Sequence, residues 1–387
     1  MKKVLLPLAL LLVAVLAFAA CTRDNDAPAV GGQQEPTVET PAAEAPAAEA
    51  PVADISGLRI ALVAHSPESI LDDGSFNAGA WQGILQFARE HGLSTTRGQN
   101  IEFFQPGTAT DEARIDLVEN VVQNFGADVI VLPGFHFVAS SYEMQRLFPD
   151  VKFVLLDASP AGDIASNLVA IHYAEHESGF LAGYAIVMDG FRNLGFMGGA
   201  AVPAVVRFGH GFLQGAEHAA NSLGLGAGDV TVRYYYIGGF APDPGVTTQA
   251  GSWYATGTEV IFAAAGGAGF SVITAADAAD AYVIGVDVDQ AGDGDVVITS
   301  AVKGLATSVS DMLNDFVNGT WRGGRALMFD ATVNGIGLPM ESSRFRSFTQ
   351  AQYDAIFGQL AGGAINVNNS LDMNDILANI SLVTVEQ

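Results

Sequence analysis

Short apolar runs of strand length alternate with amphipathic segments from residue 58 to the C-terminus. Runs such as 58–63 and 128–132 are mostly apolar, which is typical of strands buried on both faces of a sheet. Between them, segments such as 77–89 repeat apolar residues every three or four positions, as in a helix with one buried face. Strands that alternate with helices of this length predict parallel sheets covered by helices on both sides.

The alternation restarts near Gly190, so the chain contains two similar sets of elements. Two sets predict two similar lobes, followed by a helix at 305–318, one or two strands within 326–338 and a helix near 350–360. The strands of the two sets are predicted at 58–63, 101–105, 128–132, 152–156 and 168–172, and at 194–197, 231–237, 259–263 and 282–286.

The N-terminal residues 1–20 have the layout of a secretory signal peptide: Lys2 and Lys3, an apolar run, and small residues before Cys21. Cys21 is the single cysteine, which excludes an intrachain disulfide. The residues Phe-Ala-Ala-Cys at 18–21 resemble a bacterial lipobox, in which the cysteine is acylated. We therefore expect lipidation of Cys21 and an extracytoplasmic protein anchored to a bacterial membrane, at the cell surface or in the periplasm.

Residues 22–56 are rich in Ala, Pro and Glu and nearly free of large apolar side chains. This composition cannot bury enough surface to offset chain entropy, and it predicts an extended tether that follows the lipidated Cys21. No later run is long and apolar enough to span a bilayer, so the lipid is the expected membrane contact.

The formal net charge of −25 argues against nucleic acid as a partner, because phosphate neutralisation needs clustered Lys and Arg. The chain has no zinc-binding Cys–His spacing, no P-loop and no Gly-x-Ser-x-Gly elbow. We expect no metal, no cofactor and no catalytic residue, and we expect a monomer.

The loop 71–77, Leu-Asp-Asp-Gly-Ser-Phe-Asn, lies between the first predicted strand and the first predicted helix. Asp72, Asp73 and Ser75 are candidate capping residues for that helix. In open α/β sheets, loops at the carboxyl ends of strands bind ligands, and Phe76 offers a face for stacking. The alternative is that Phe76 is a core residue and the two aspartates are only caps.

Several motifs, in order, resemble the basic membrane protein family of ABC-transporter substrate-binding lipoproteins, whose characterised members bind purine nucleosides. They lie at 72–77 (with Gly74 where the family has Lys), 177–183, 203–215, 265–269 and 284–290. The resemblance covers nearly all of 58–340. It implies an α/β type I periplasmic-binding-protein fold, in which two Rossmann-like lobes with parallel sheets are joined by three crossovers.

The resemblance implies that Phe76 and Phe208 stack on the two faces of the nucleoside base and that Asn77 forms a hydrogen bond near the base. Asp287 and Lys303 would hold ribose hydroxyls, since a carboxylate and an ammonium together supply an acceptor and a donor. From the residues alone, Phe208 is equally compatible with a core position and Lys303 with a surface charge. The full set of candidate ligand-binding residues is His65, Asp73, Phe76, Asn77, Phe135, Phe208, Gly266, Gly267, Asp287 and Lys303.

Two departures from the family concern recognition of the base. The nucleoside binders carry an Asp just after the first strand, where this chain has Ala64 and His65, and another after a Gly-Phe pair, where this chain has 136–139 without an acid. His65 or His136 can donate to a ring nitrogen instead, and Ser140 can accept. The expected ligand is therefore aromatic with a polyol, and riboflavin competes with a nucleoside.

These observations predict a lipid-anchored receptor that captures a purine nucleoside between two lobes and delivers it to an ABC permease and ATPase. The lobes are expected to comprise 57–190 plus 304–324, and 191–303 plus 325–387. The alternatives are a riboflavin or sugar receptor of the same fold, a ligand sensor, and a nucleoside hydrolase in which Asp72 and Asp73 hold a metal and water.

Overall fold

The computed structural model describes residues 54–387. The predicted signal peptide, Cys21 and nearly all of the predicted tether lie outside the described residues. In the described part, the strands are β1 (Ile60–Val63), β2 (Ile101–Phe104), β3 (Val129–Pro133), β4 (Lys152–Leu156), β5 (Leu168–Tyr173), β6 (Asn193–Gly198), β7 (Val230–Tyr236), β8 (Val260–Ala264), β9 (Tyr282–Asp287), β10 (Val297–Lys303), β11 (Arg325–Phe329), β12 (Ile336–Gly337) and β13 (Val383–Glu386).

Helices follow most of these strands, as the alternating pattern predicts. They are α1 (Phe76–Glu90), α2 (Asp111–Asn120), α3 (Val138–Leu147), α4 (Glu175–Met188), α5 (Pro203–Ser222), α6 (Pro244–Ala255), α7 (Gly269–Ala279), α8 (Leu305–Val317), α9 (Gln350–Ala361) and α10 (Met373–Leu377). The largely apolar residues 376–385 contain the end of α10 and most of β13. Strand β10 was not predicted as a separate element.

The strands form two sheets. The first has the order β11-β5-β4-β3-β1-β2, and the second has the order β12-β10-β9-β8-β6-β7-β13. All pairs in the first sheet are parallel, and in the second β12 alone runs antiparallel, against β10. Central strands such as β3 and β8 are buried along their whole length, as parallel strands covered on both faces must be. The predicted two-lobed α/β fold is confirmed.

The chain passes between the sheets three times: after β5, after β10 and after β11. Hydrogen bonds join these passages to their neighbours. The Ala174 amide donates to the Phe329 carbonyl at 3.1 Å, and the Gly304 amide donates to the Gly335 carbonyl at 2.8 Å. The three crossovers implied by the family resemblance are therefore present, and the first and third lie side by side.

One predicted lobe boundary lies too late in the chain. The first lobe was expected to extend to residue 190, but α4 packs on α5 of the second lobe. The approach is so close that a Cβ on Gly179 would lie 2.1 Å from the Phe208 carbonyl oxygen. The small residues of α4 predict close packing, but they do not identify the partner helix. The first crossing therefore precedes Glu175.

The other lobe boundary lies too early. Residues 325–387 were expected in the second lobe, but β11 pairs in parallel with β5 of the first sheet. A short strand has the same pattern in either sheet, so its pairing partner is decided by tertiary structure. The expected return of α8 to the first lobe is found, because a Cβ on Gly83 of α1 would lie 2.6 Å from the Ala306 carbonyl oxygen.

Candidate ligand-binding site

A cavity of about 340 Å³ lies between the lobes, a size within the usual range for small-molecule sites. Its walls come from the carboxyl ends of β1, β3 and β4 in the first sheet and of β8, β9 and β10 in the second. The structure brings all ten candidate ligand-binding residues into this lining, namely His65, Asp73, Phe76, Asn77, Phe135, Phe208, Gly266, Gly267, Asp287 and Lys303.

Asp73 caps α1 within the loop 71–77. Its carboxylate accepts hydrogen bonds from the amides of Ser75 at 2.9 Å, Asn77 at 3.0 Å and Ala78 at 3.0 Å. Burial raises the pKa of Asp73 to about 6, against the opposite effect of these three amides. The prediction that the Ser75 side chain caps the same helix is wrong, because its hydroxyl donates to Asp287 at 2.6 Å.

Phe76 and Phe208 face the same ammonium group from different lobes. The Lys303 Nζ lies 4.9 Å from the centroid of the Phe76 ring and 5.1 Å from that of Phe208, which are cation–π distances. Phe208 is only 2% exposed and packs edge-on against Phe262 at 5.8 Å. Phe208 is therefore a core residue and also part of the cavity wall, so its core position does not exclude contact with a ligand.

Lys303 is buried among three carboxylates. Its Nζ lies 2.5 Å from Asp157 Oδ2, 3.5 Å from Asp287 Oδ1 and 3.6 Å from Glu175 Oε1. Burial acts to lower the pKa of Lys303, but the electrostatic interactions with Asp157, Asp287 and Glu175 outweigh it and hold that pKa above its ordinary value. The interpretation of Lys303 as a surface charge is wrong.

The pKa values of two acids of this cluster, Glu175 and Asp287, are also shifted. Burial raises the pKa of Glu175 to about 8 and raises the pKa of Asp287, while Lys303 acts in the opposite direction on both. Arg207 Nη1 lies 3.6 Å from Glu175 Oε2. Sequence reasoning missed Asp157 and Glu175. Asp157 directly follows the buried strand β4, just as Asp287 ends the buried strand β9.

The opposite end of the cavity carries two stacked imidazoles. The ring centroids of His65 and His136 lie 4.0 Å apart with an angle of 3° between the ring planes. The centroid of the Phe135 ring lies 3.9 Å from that of His136. Burial lowers the pKa of His65 to about 4 and lowers the pKa of His136, so both rings are neutral at pH 7. Ser140, expected to accept a bond from the ligand, is buried in α3 and is not part of the cavity lining.

Arg114 of α2 holds the two histidine loops in place. Its buried guanidinium donates to the carbonyl oxygens of His65 at 2.8 Å, His136 at 3.0 Å and Ala109 at 3.1 Å. These bonds fix the backbone on both sides of the stacked pair. Nothing in the spacing of the sequence connects Arg114 to either histidine.

Gly266 and Gly267 form a short 3-10 turn, Gly266–Ala268, that borders the cavity. Gly266 has a φ of +54°, and a Cβ on Gly267 would lie 3.3 Å from the Phe240 carbonyl oxygen. The turn therefore packs closely against Phe240, a cavity-lining aromatic residue that sequence reasoning missed.

The loop 71–77 also contacts the second lobe directly. Gln290 Nε2 donates to the Gly74 carbonyl at 3.0 Å, and a Cβ on Gly74 would lie 2.5 Å from the ring of Phe270. Within residues 54–387, no helix is long and apolar enough to cross a membrane, and no group of three or more His, Cys, Asp or Glu side chains is arranged to hold a metal ion.

Two parallel α/β lobes that enclose a ligand-sized cavity form a binding site for a small molecule. The sequence profile of the family described as "ABC transporter substrate-binding protein PnrA-like" matches residues 60–362. The chain belongs to this family, whose members are substrate-binding proteins of ABC transporters and not enzymes.

Two relatives place the chain within the family. It is 25% identical over 381 residues to the ABC transporter nucleoside-binding protein BmpA of Lactococcus lactis subsp. cremoris, covering 93% of this chain and 98% of that protein. It is 29% identical over 282 residues to basic membrane protein B of Borreliella burgdorferi, covering 70% of this chain and 79% of that protein.

Two solved structures share the fold. A solute-binding protein of an ABC transporter system from Aeropyrum pernix K1 has a TM-score of 0.70 at 20% identity, covering 83% of this chain and 96% of that chain. A second solute-binding protein of an ABC transporter system, from Conexibacter woesei, has a TM-score of 0.63 at 22% identity, covering 81% of this chain and 99% of that chain.

Proposed function

We propose that this substrate-binding protein captures a purine nucleoside, or a close analogue that joins an aromatic ring to a polyol, and delivers it to an ABC importer. The observation that carries the proposal is the cavity itself. The rings of Phe76 and Phe208, one from each lobe, flank the ammonium of Lys303, and carboxylates surround the same ammonium. The nucleoside-binding name of the relative from Lactococcus lactis supports the same ligand class.

Stacking supplies the affinity for the ring. Phe76 from the first lobe and Phe208 from the second offer aromatic surfaces in one cavity, and such pairs gain about 0.5–1.5 kcal/mol each beyond area burial. The neutral His65 and His136 lie at the other end, where imidazole nitrogens can bond the polar edge of the ring; His65 Nδ1 already pairs with Ser69 Oγ at 3.3 Å, so its Nε2 is the nitrogen left for the ligand.

The charged end suits hydroxyl groups. Asp287 accepts a hydrogen bond and Lys303 donates one, so the pair can hold vicinal hydroxyls through charge-assisted bonds. Both side chains are buried, which strengthens these bonds relative to water. Ligand contacts to both lobes would favour the closed arrangement over an open one.

We also propose that the protein is an extracytoplasmic lipoprotein held by an acyl chain on Cys21, a residue outside the described part of the chain. The partners of this arrangement are the permease and ATPase of the transporter. Labelling with a clickable fatty acid in the native host tests the anchor, with Cys21→Ser as the control that should lose both label and membrane association.

A thermal-shift screen of adenosine, guanosine, inosine, riboflavin, ribose and free bases tests the ligand class, because a ligand that binds only the folded state raises the melting temperature. Nucleosides should give the largest shifts, and calorimetry then supplies affinities. Asp287→Asn should weaken nucleoside binding by at least about 1.5 kcal/mol, the scale of a hydrogen bond to a charged group. Absence of any shift with nucleosides contradicts the proposal, whereas a shift with riboflavin alone favours the flavin alternative.

Release of free base during incubation with nucleosides would instead indicate a hydrolase. Chromatography of the incubated mixture measures this directly. We expect the nucleoside to be recovered intact.

A further inference from the structure

Asp157 and Asp287 occupy equivalent places in the two lobes. Asp287 ends β9, and Asp157 directly follows β4. These strands correspond in the runs β2-β1-β3-β4-β5 and β7-β6-β8-β9-β10 of the two sheets. Both residues adopt the left-handed backbone, with φ of 56° for Asp157 and 67° for Asp287, which non-glycine residues seldom do. The two lobes therefore present one matching acid each.

The same ammonium group joins the two acids. Lys303 Nζ lies 2.5 Å from Asp157 Oδ2 and 3.5 Å from Asp287 Oδ1. Asp287 also accepts the hydroxyl of Ser75, whereas the other oxygen of Asp157, Oδ1, is buried and has no hydrogen-bond partner among the described residues. The side chain of Asp157 is only 8% exposed, and the residue lines the cavity.

A buried carboxylate oxygen without a donor is unfavourable, and native structures seldom contain one without a functional reason. Hydrogen bonding within the chain does not satisfy Asp157 Oδ1. The remaining source of a donor is a water molecule or a ligand in the cavity that the residue lines.

The groups around Lys303 also indicate that this part of the cavity lacks hydrogen-bond donors. Three acidic side chains, Asp157, Glu175 and Asp287, lie within 3.6 Å of Lys303 Nζ, and Arg207 is the second cation that reaches the cluster, through Glu175. Two buried oxygens of the cluster, Asp157 Oδ1 and Glu175 Oε2, have no hydrogen-bond partner among the described residues, so the cluster contains more acceptor oxygens than its donors satisfy. A neutral ligand rich in hydroxyl donors fits this environment, whereas an anionic ligand does not.

We propose that Asp157 is a ligand-contacting residue whose Oδ1 accepts a hydrogen bond from a hydroxyl of the bound polyol. This inference rests on the proposed function, and it names a specificity residue for the same site. The hydroxyl-bearing end of the ligand is then held by one carboxylate from each lobe, with Lys303 between them. Each acid engages a different hydroxyl, because the two carboxylates approach Lys303 from different lobes.

Calorimetry with analogues that lack single hydroxyls tests the inference. Asp157→Asn keeps the size of the side chain and tolerates the left-handed backbone. Wild type, Asp157→Asn and Asp287→Asn are titrated with adenosine, guanosine and inosine, and with the 2′-, 3′- and 5′-deoxy forms of the nucleoside that binds most tightly. Asp150→Asn, an exposed acid just before β4, is the matched control.

Asp157→Asn should weaken binding of the parent nucleoside at least tenfold. This penalty should fall below threefold for the one deoxy analogue that lacks the partner hydroxyl, and the corresponding analogue for Asp287→Asn should be a different one. Asp150→Asn should bind like wild type, and thermal melting should show that Asp157→Asn remains folded.

Wild-type affinity in Asp157→Asn overturns this inference and leaves the proposed function intact. An equal penalty with every analogue also overturns it, because Asp157 then acts only by holding Lys303. If wild type binds none of the nucleosides, the proposed function is wrong, and the inference that rests on it is wrong as well.

Discussion

The hydroxyl of Ser75 donates a 2.6 Å hydrogen bond to Oδ2 of Asp287. Ser75 lies in the loop before α1 of the first lobe, and Asp287 ends β9 of the second, so this bond joins the lobes at the cavity wall. A second bond, from Gln290 to the Gly74 carbonyl, joins the same loop to the second lobe. The loop 71–77 therefore contributes both cavity-lining side chains and the contacts that hold the lobes together.

Removal of the Ser75 hydroxyl should weaken ligand binding. Ser75→Ala leaves one buried oxygen of Asp287 without its donor, and a hydrogen bond to a charged group contributes about 1.5–3 kcal/mol. We expect roughly a tenfold or greater loss of nucleoside affinity by calorimetry, since 1.4 kcal/mol corresponds to a factor of ten. Ser252→Ala, on the exposed face of α6, is the control and should bind normally. Equal affinities for the two variants would mean that this bond does not contribute to closure.

A side chain at Gly74 should interfere with lobe contact. Gly74 has a φ of +61°, and its added Cβ would lie 2.5 Å from the ring of Phe270, so Gly74→Ala combines backbone strain with overpacking of about 1–3 kcal/mol. Gly92→Ala is the matched control, because Gly92 has a φ of +67° and no atom within 4 Å of its added Cβ. Calorimetry should show weaker ligand binding for Gly74→Ala than for Gly92→Ala.

The double variant Gly74→Ala with Phe270→Leu separates the two effects. Removal of the ring relieves the steric conflict, so part of the lost affinity should return. A double variant no better than Gly74→Ala would assign the whole effect to backbone strain.

The two phenylalanines should respond differently to substitution. Phe208→Ala should destabilise the fold by about 3–5 kcal/mol in urea unfolding, because the ring is buried against Phe262. Phe76→Leu should cost less than about 1.5 kcal/mol of stability and should lose about 0.5–1.5 kcal/mol of ligand affinity. Phe104→Leu, a half-buried ring outside the cavity lining, should leave the affinity unchanged. A Phe76→Leu protein with full affinity would exclude stacking on that ring.

His65 should make the free energy of unfolding depend on pH in the acidic range. Burial lowers its pKa to about 4 from an ordinary 6.5, so between these pH values the unfolded chain binds more protons than the folded protein. This residue therefore makes the free energy of unfolding decrease as the pH falls from about 6.5 to about 4. Asp73 has the opposite sign, because its pKa is raised from 3.8 to about 6 and the folded state binds more protons in that interval.

Comparison of wild type with His65→Gln isolates the histidine, since Asp73 is present in both proteins. As the pH is lowered from 7 to 5, urea unfolding should show that His65→Gln gains stability relative to wild type. A constant difference between the two proteins across this range would contradict the lowered pKa.

The alternation of apolar strands and amphipathic helices was sufficient to predict two α/β lobes, and the strand β4 was predicted with its observed bounds. Local periodicity carries this information because each element must bury a face of fixed period. The family resemblance, together with the positions where this chain departs from it, indicated ten residues far apart in the chain, and the fold brings all of them to one cavity. Polar residues at strand ends converge because parallel strands end at the same edge of a sheet.

The tertiary structure decided which lobe receives α4 and β11, since a small-residue helix and a short strand have the same pattern wherever they pack. It also decided that Ser75 bonds Asp287 and does not cap α1, that Arg114 fixes two histidine loops, and that Asp157 meets Lys303. These contacts join residues of opposite charge or hydrogen-bonding type across 22 positions of sequence, between Arg114 and His136, to 212 positions, between Ser75 and Asp287. No local pattern encodes such a pair, because the free energy of each contact depends on burial that exists only once both lobes have folded.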